Sequence, residues 1–68
     1  MTYREWADTY FESAQRQKER KKYYQSLMEN CKPNEVAYYS SLISVCNAQY
    51  LDLIYVANIL SKRGNKEV

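Results

Sequence analysis

Few side chains in this 68-residue chain could perform chemistry, and histidine is absent. Without an imidazole, neither a Ser-His nor a Cys-His nucleophile can form, and a zinc site with a histidine ligand is excluded. Cys31 and Cys46 are fifteen residues apart, which on a largely helical path is about 20 Å, too far for a disulfide. We interpret Cys46 as a small buried hydrophobe. The reactivity of Cys31, near the start of a helix, stays open.

Three carboxylates, Glu5, Asp8 and Glu12, lie at helical spacing on one face. Inward-facing glutamates can ligate metals in a four-helix bundle, but the ferritin-like site needs Glu-x-x-His pairs. We interpret this face instead as a solvated acidic first turn that suits the helix dipole, with a Glu12–Arg16 pair behind it. The sequence therefore predicts no catalytic residue, no metal and no cofactor, and the protein is not expected to be an enzyme.

A basic run between positions 16 and 22 precedes Tyr23 and Tyr24. Cationic side chains beside aromatic rings can bind a phosphate backbone and stack on bases. A helix spreads consecutive residues around its axis, so the run is also typical of a solvated polar surface, and the net charge is only +2. The possible nucleic-acid contacts, here named the basic belt, are Arg16, Lys18, Arg20, Lys21 and Lys22.

These groups are predicted to lie on two long helices in a single all-α domain. Thr2 and Glu5 form a capping-box pattern at the start of the first helix. Pro33 suits the first turn of the second helix, and Gly64 follows basic residues as a stop signal. We expect a helix over about 2–29, a joint at 30–33, a helix over about 34–63 and a tail at 64–68. The short joint makes the helices antiparallel neighbours.

The second helix carries apolar residues at alternating steps of three and four, the spacing of a coiled-coil seam. The predicted core or dimer seam is Val36, Tyr39, Ile43, Cys46, Tyr50, Leu53, Ala57 and Leu60. The first helix fits the same spacing at its two ends, through Trp6 and Leu27, but Gln17 and Arg20 occupy its middle. Folding about the joint is expected to place Tyr3 opposite Leu60.

The second helix is apolar on two sides, whereas a hairpin gives it only one neighbour. The second stripe consists of Tyr38, Val45, Ala48, Tyr55, Val56 and Ile59. We therefore expect a homodimer in which the second helices of two hairpins pack together as a four-helix bundle. A monomer whose stripe binds a foreign protein is the alternative.

Tyrosine is abundant, with eight copies, and its half-apolar, half-polar ring is favoured at interfaces. The predicted partner contacts are Tyr3, Trp6, Phe11, Tyr23, Tyr38 and Tyr55. An equally simple interpretation is that these rings close the ends of the bundle.

The sequence favours a non-enzymatic interaction module, a small inhibitor, adaptor or regulator of a larger protein, as in phages and mobile elements. A small nucleic-acid-binding regulator that uses the basic belt is the alternative. The N-terminus lacks a signal-peptide pattern, and Asn47, Gln49, Asp52 and Asn58 interrupt the most apolar window. We therefore predict a cytoplasmic protein that does not enter a membrane.

Overall fold

The computed structural model describes residues 1–67, which form an antiparallel pair of long helices. Helix α1 spans Tyr3–Glu29 and helix α2 spans Val36–Arg63. A single 3-10 turn, Pro33–Glu35, lies between them. The hairpin is a rod of 51 × 13 × 12 Å, and the prediction of two helices packed against each other is confirmed.

At the end of the rod opposite the joint, here named the open end of the hairpin, carbonyls of the C-terminal tail accept hydrogen bonds from the first amides of α1. The Thr2 hydroxyl accepts from the Glu5 N–H at 3.2 Å, and the Glu5 carboxylate accepts from the Thr2 N–H at 3.3 Å. The next free amides of α1 donate to the tail, Tyr3 to the Lys66 carbonyl at 3.0 Å and Arg4 to the Gly64 carbonyl at 2.9 Å. The first three amides of α1, which have no partner inside the helix, are thus all bonded.

Gly64 makes this return of the tail possible. Its φ of +63° is in the left-handed half of conformational space, where glycine pays no steric penalty. The turn directs residues 65–67 back across the start of α1, where Thr2 and Glu67 form an isolated antiparallel bridge. The N-terminal ammonium lies 3.4 Å from the Glu67 carboxylate.

The core between the helices is thin and built mainly from small side chains. The fully buried residues are Ala7, Ala14 and Ala57, and the nearly buried ones are Cys46 and Leu60. Among the described residues no large side chain is completely buried. Alanine on both helices lets their backbones approach closely, but it supplies little buried apolar area to stabilise the hairpin.

The interior face of α1 includes most of the expected positions but is centred to one side of them, toward Ala7 and Ala14. Ala7 and Ala14 are buried, while Arg20 and Leu27 are exposed and Trp6 is only half-buried. The expected face followed a strict heptad spacing from Trp6 to Leu27. Close packing of the two backbones instead selects the small residues beside them.

The pairing between the helices is displaced by about one turn from the expected one. Tyr3 does not lie opposite Leu60: its hydroxyl accepts from Arg63 Nη1 at 3.4 Å, and its amide reaches Lys66. The 3-10 turn Pro33–Glu35 lengthens the joint beyond the expected residues 30–33, so the chain reverses its direction a few residues later than expected.

Candidate interaction surfaces

The predicted seam of α2 lies against α1. Val36, at the joint, is 43% exposed, while the other seven seam positions are buried or half-buried. In the isolated hairpin these seven residues therefore form the core with α1, and a second copy would have to use another face of α2.

The middle of the helix–helix interface is polar. Lys21 Nζ donates to Asn47 Oδ1 at 3.0 Å, a partly buried bond that joins α1 to α2. One turn away, Gln17 Oε1 is buried and has no hydrogen-bond partner within the described part of the chain. This polar layer is the part of the interface where the apolar seam of α2 has no apolar counterpart on α1.

The face of α2 that points away from α1 carries a continuous exposed stripe. Its positions alternate by three and four residues, all of them are exposed, and Asp52 is the one charged residue among them. The four large apolar side chains are between 39% and 68% exposed. This outer stripe consists of Tyr38, Ser41, Val45, Ala48, Asp52, Tyr55 and Ile59.

The predicted partner contacts do not form one surface. Tyr38 and Tyr55 belong to the outer stripe, and Tyr23 is exposed on α1. Phe11 is 37% exposed, whereas Tyr3 and Trp6 are half-buried at the open end of the hairpin. The six residues thus fall on both helices and on different faces.

At the open end, three aromatic rings lie in a row along α1, the first two stacked and the third tilted. The Tyr3 and Trp6 ring centroids are 6.2 Å apart, and those of Trp6 and Tyr10 are 6.3 Å apart. The Arg63 guanidinium lies 5.1 Å from the centre of the Tyr3 ring, within cation–π range. Tyr3 thus contributes to the closure of the hairpin, while Trp6 and Tyr10 stay partly exposed.

A shallow open depression of about 400 Å³, here named the end groove, lies beside Trp6. Sequence reasoning singled out Trp6 but not its neighbours in the groove. The groove residues of α1 follow one another at helical spacing, and this pattern could have indicated that they share a face with Trp6. The residues that line the end groove are Met1, Trp6, Thr9, Tyr10 and Ser13.

The basic belt is broken up by the fold. Arg16, Lys18, Arg20 and Lys22 are exposed at different angles around α1, with Glu19 exposed among them. Lys21 is half-buried and donates to Asn47 in the helix–helix interface, apart from the exposed cations. The belt therefore offers separate cations and not a continuous basic track.

The remaining reactive groups are dispersed. Cys31 is half-buried, Cys46 is buried, and both thiols are free. Within residues 1–67 no three Cys, Asp or Glu side chains are grouped so that they could hold a metal ion. Burial, followed by the Glu35 carboxylate, raises the pKa of the Tyr39 phenol above its ordinary value.

By length and composition, the segment Pro33–Arg63 could cross a membrane, and 11% of its most apolar window is buried inside the hairpin. A core helix of a soluble protein can meet the same criterion. Asn47, which lies within the segment, is bonded to Lys21 of α1. The prediction that the protein does not enter a membrane stays a prediction.

Comparison of the chain with known protein families, with curated proteins and with solved structures gives no match. The functional assignment therefore depends on the geometry of the outer stripe, the end groove and the basic belt.

Proposed function

We propose that this chain is a non-enzymatic interaction module of the cytoplasm that binds itself and a larger protein. Two hairpins associate through the outer stripe into a four-helix bundle, and the bundle acts as a small inhibitor, adaptor or regulator. The observation that carries this proposal is the row of four large apolar side chains exposed along one face of α2, because soluble monomers rarely leave a large apolar patch in water.

The surface area of the hairpin supports association. Its accessible surface is 5171 Å², whereas a compact monomer of this mass exposes about 4,500 Å². The excess, about 700 Å², is close to the roughly 800 Å² that each partner buries in a stable protein–protein interface. Covering the outer stripe would therefore bring the exposed area to that of a compact protein.

The end groove is the site that we assign to the larger protein. It is lined only by Met1 and by residues of α1, so it stays open when a second copy covers α2. Its walls combine the Trp6 and Tyr10 rings with the Thr9 and Ser13 hydroxyls, and aromatic residues with few rotors are favoured at binding hot spots. An apolar side chain of the larger protein, flanked by backbone donors, fits this chemistry.

Nucleic-acid binding is the alternative function, and it is supported by the four exposed cations of the basic belt and by the exposed ring of Tyr23. Such binding would weaken steeply as salt rises from low to moderate concentration, and Arg20→Glu would abolish it. A binding signal that does not change with salt would remove this alternative.

The experiment that tests the proposed function is a pull-down from the source cell with Trp6→Ala and, as a matched control, Gln15→Ala. Gln15 is exposed on α1 outside the end groove. We expect one protein to be retained in stoichiometric amount by the wild-type chain and by Gln15→Ala, and to be lost from Trp6→Ala, with the helical circular dichroism unchanged in both variants.

Retention of the same protein by Trp6→Ala would contradict the assignment of the end groove. A wild-type chain that sediments as a monomer at high micromolar concentration would contradict the self-association.

A further inference from the structure

We infer that the second copy lies antiparallel on the outer stripe, in one register that brings Asp52 of each copy opposite Ser41 of the other. The inference rests on the proposed self-association and adds the orientation and the register of the pair. It is carried by the one charged residue of an otherwise uncharged seam, because that residue restricts which arrangements two identical stripes can adopt.

A parallel pair is disfavoured by Asp52. Two parallel copies in register place each residue of the outer stripe next to the same residue of the second copy. Asp52 would then meet Asp52 in a seam from which apolar neighbours exclude water. Like charges at such short range repel strongly, and a desolvated carboxylate also loses its hydrogen bonds to water.

One antiparallel register pairs the stripe with complementary chemistry at each layer. Asp52 meets the Ser41 hydroxyl, which can donate a hydrogen bond to the carboxylate. Val45 meets Ala48, which combines a larger and a smaller aliphatic side chain. In a single antiparallel register, the residue numbers of every facing pair add up to the same value. The pair Tyr38 and Tyr55 has the same sum as the other two pairs, so it belongs to the same register.

The two neighbouring antiparallel registers with greater overlap are less favourable. They place Asp52 of one copy opposite Val45 or Ala48 of the other, and neither aliphatic side chain can donate a hydrogen bond. A buried carboxylate without a donor is costly. The Ser41 register leaves Ile59 outside the overlap but gives the carboxylate a donor.

Cysteine cross-linking tests the register. All variants carry Cys31→Ser, and the remaining native thiol, Cys46, is buried. The test variants are Tyr38→Cys, Tyr55→Cys and the double Tyr38→Cys/Tyr55→Cys, which leave Asp52 and Ser41 in place. Both positions are exposed, so the hairpin is expected to keep its helical circular dichroism, and the reduced proteins are sedimented in parallel to show that they associate.

On mild oxidation we expect the double variant to form a covalent dimer and the two single variants to stay uncross-linked. In the proposed register Tyr38 of one copy lies opposite Tyr55 of the other. The two copies of position 38, like the two copies of position 55, are separated by seventeen residues of helix, about 26 Å, which no disulfide spans. Positions 38 and 55 within one chain are equally far apart.

Each other outcome overturns the inference in a recognisable way. Rapid cross-linking of both single variants would show a parallel pair, cross-linking of only one would show an antiparallel pair centred on that residue, and association without cross-linking of any variant would show another register or face. All of these results leave the proposed self-association intact. A monomeric chain overturns the self-association too, and flotation of that monomer with phosphatidylcholine–phosphatidylglycerol vesicles would assign the outer stripe to lipid.

Discussion

Gln17 and Lys21 occupy the centre of the helix–helix interface on α1, opposite the apolar seam of α2. Lys21 is bonded to Asn47 across the interface, whereas the Gln17 amide oxygen is buried without a partner. A polar contact at a core position favours one register over others at a cost in stability. We interpret the Lys21–Asn47 bond as the contact that sets α1 against α2, and Gln17 as a residue that weakens the hairpin.

Gln17→Leu should therefore stabilise the hairpin. The substitution removes an unsatisfied buried acceptor and extends the apolar seam, so we expect a gain of about 1–2 kcal/mol in the free energy of unfolding. Urea denaturation followed by circular dichroism measures this as a higher midpoint with an unchanged slope. Gln15→Leu, on the exposed face of α1, is the matched control and should change the midpoint little. An equal gain in both variants would contradict the role of burial.

For individual residues, the sequence predicted that polar side chains occupy the middle of α1, but it did not predict the contact that forms there. The expected interior face contained Arg20, whereas the structure places Lys21 inside and bonded to Asn47. Two adjacent cations on a helix look alike in a hydropathy pattern. Only the actual distance between the helices decides which of them meets an acceptor.

At the level of the helices, the apolar periodicity of the sequence predicted the hairpin, whereas small side chains determine which face of α1 is buried. Trp6 and Leu27 dominate any apolar pattern of α1, yet Ala7 and Ala14 are the residues it buries completely. The apolar period locates a face to within one position. Which of two adjacent positions is buried depends on how closely the two helix backbones can approach. The hydropathy of single residues does not encode that distance.

The closure of the open end depends on the backbone conformation of Gly64. A Cβ added there meets no atom within 4 Å, so Gly64→Ala changes conformational strain without a steric clash. Because φ is +63°, we expect a loss of about 1–3 kcal/mol, visible as a lower thermal midpoint. Asn65→Ala is the control. A Gly64→Ala variant as stable as that control would show that the tail contributes nothing.

The whole molecule is an elongated rod with one polar and one apolar long side. The radius of gyration is 15.6 Å, well above the roughly 11 Å of a compact chain of this length. The acidic and basic side chains belong mainly to α1, while the outer stripe on α2 has one charge. The hairpin itself could be predicted from the sequence. The four-helix bundle and the bound partner stay predictions, because they depend on molecules beyond one chain.

Ala48→Arg should convert the associated form into a monomeric hairpin. Ala48 is exposed in the hairpin, so arginine fits there, but in the four-helix bundle it would place a charge in the middle of the seam. Sedimentation should show the mass halved, and small-angle scattering should show a rod near 51 Å long. Glu12→Arg on α1 is the matched control and should leave the associated mass unchanged. Persistent association of Ala48→Arg would show that the outer stripe is not the interface.

The bridge between Thr2 and Glu67 also makes the hairpin suitable for a change of topology. Residues 1 and 67 lie at the same tip of the rod, where the N-terminal nitrogen is 3.4 Å from a Glu67 carboxylate oxygen. A short peptide could join them into a closed ring, and the chain could then be reopened between Cys31 and Lys32. Such a circular permutant would keep both helices and their contacts while moving the new termini to the opposite tip.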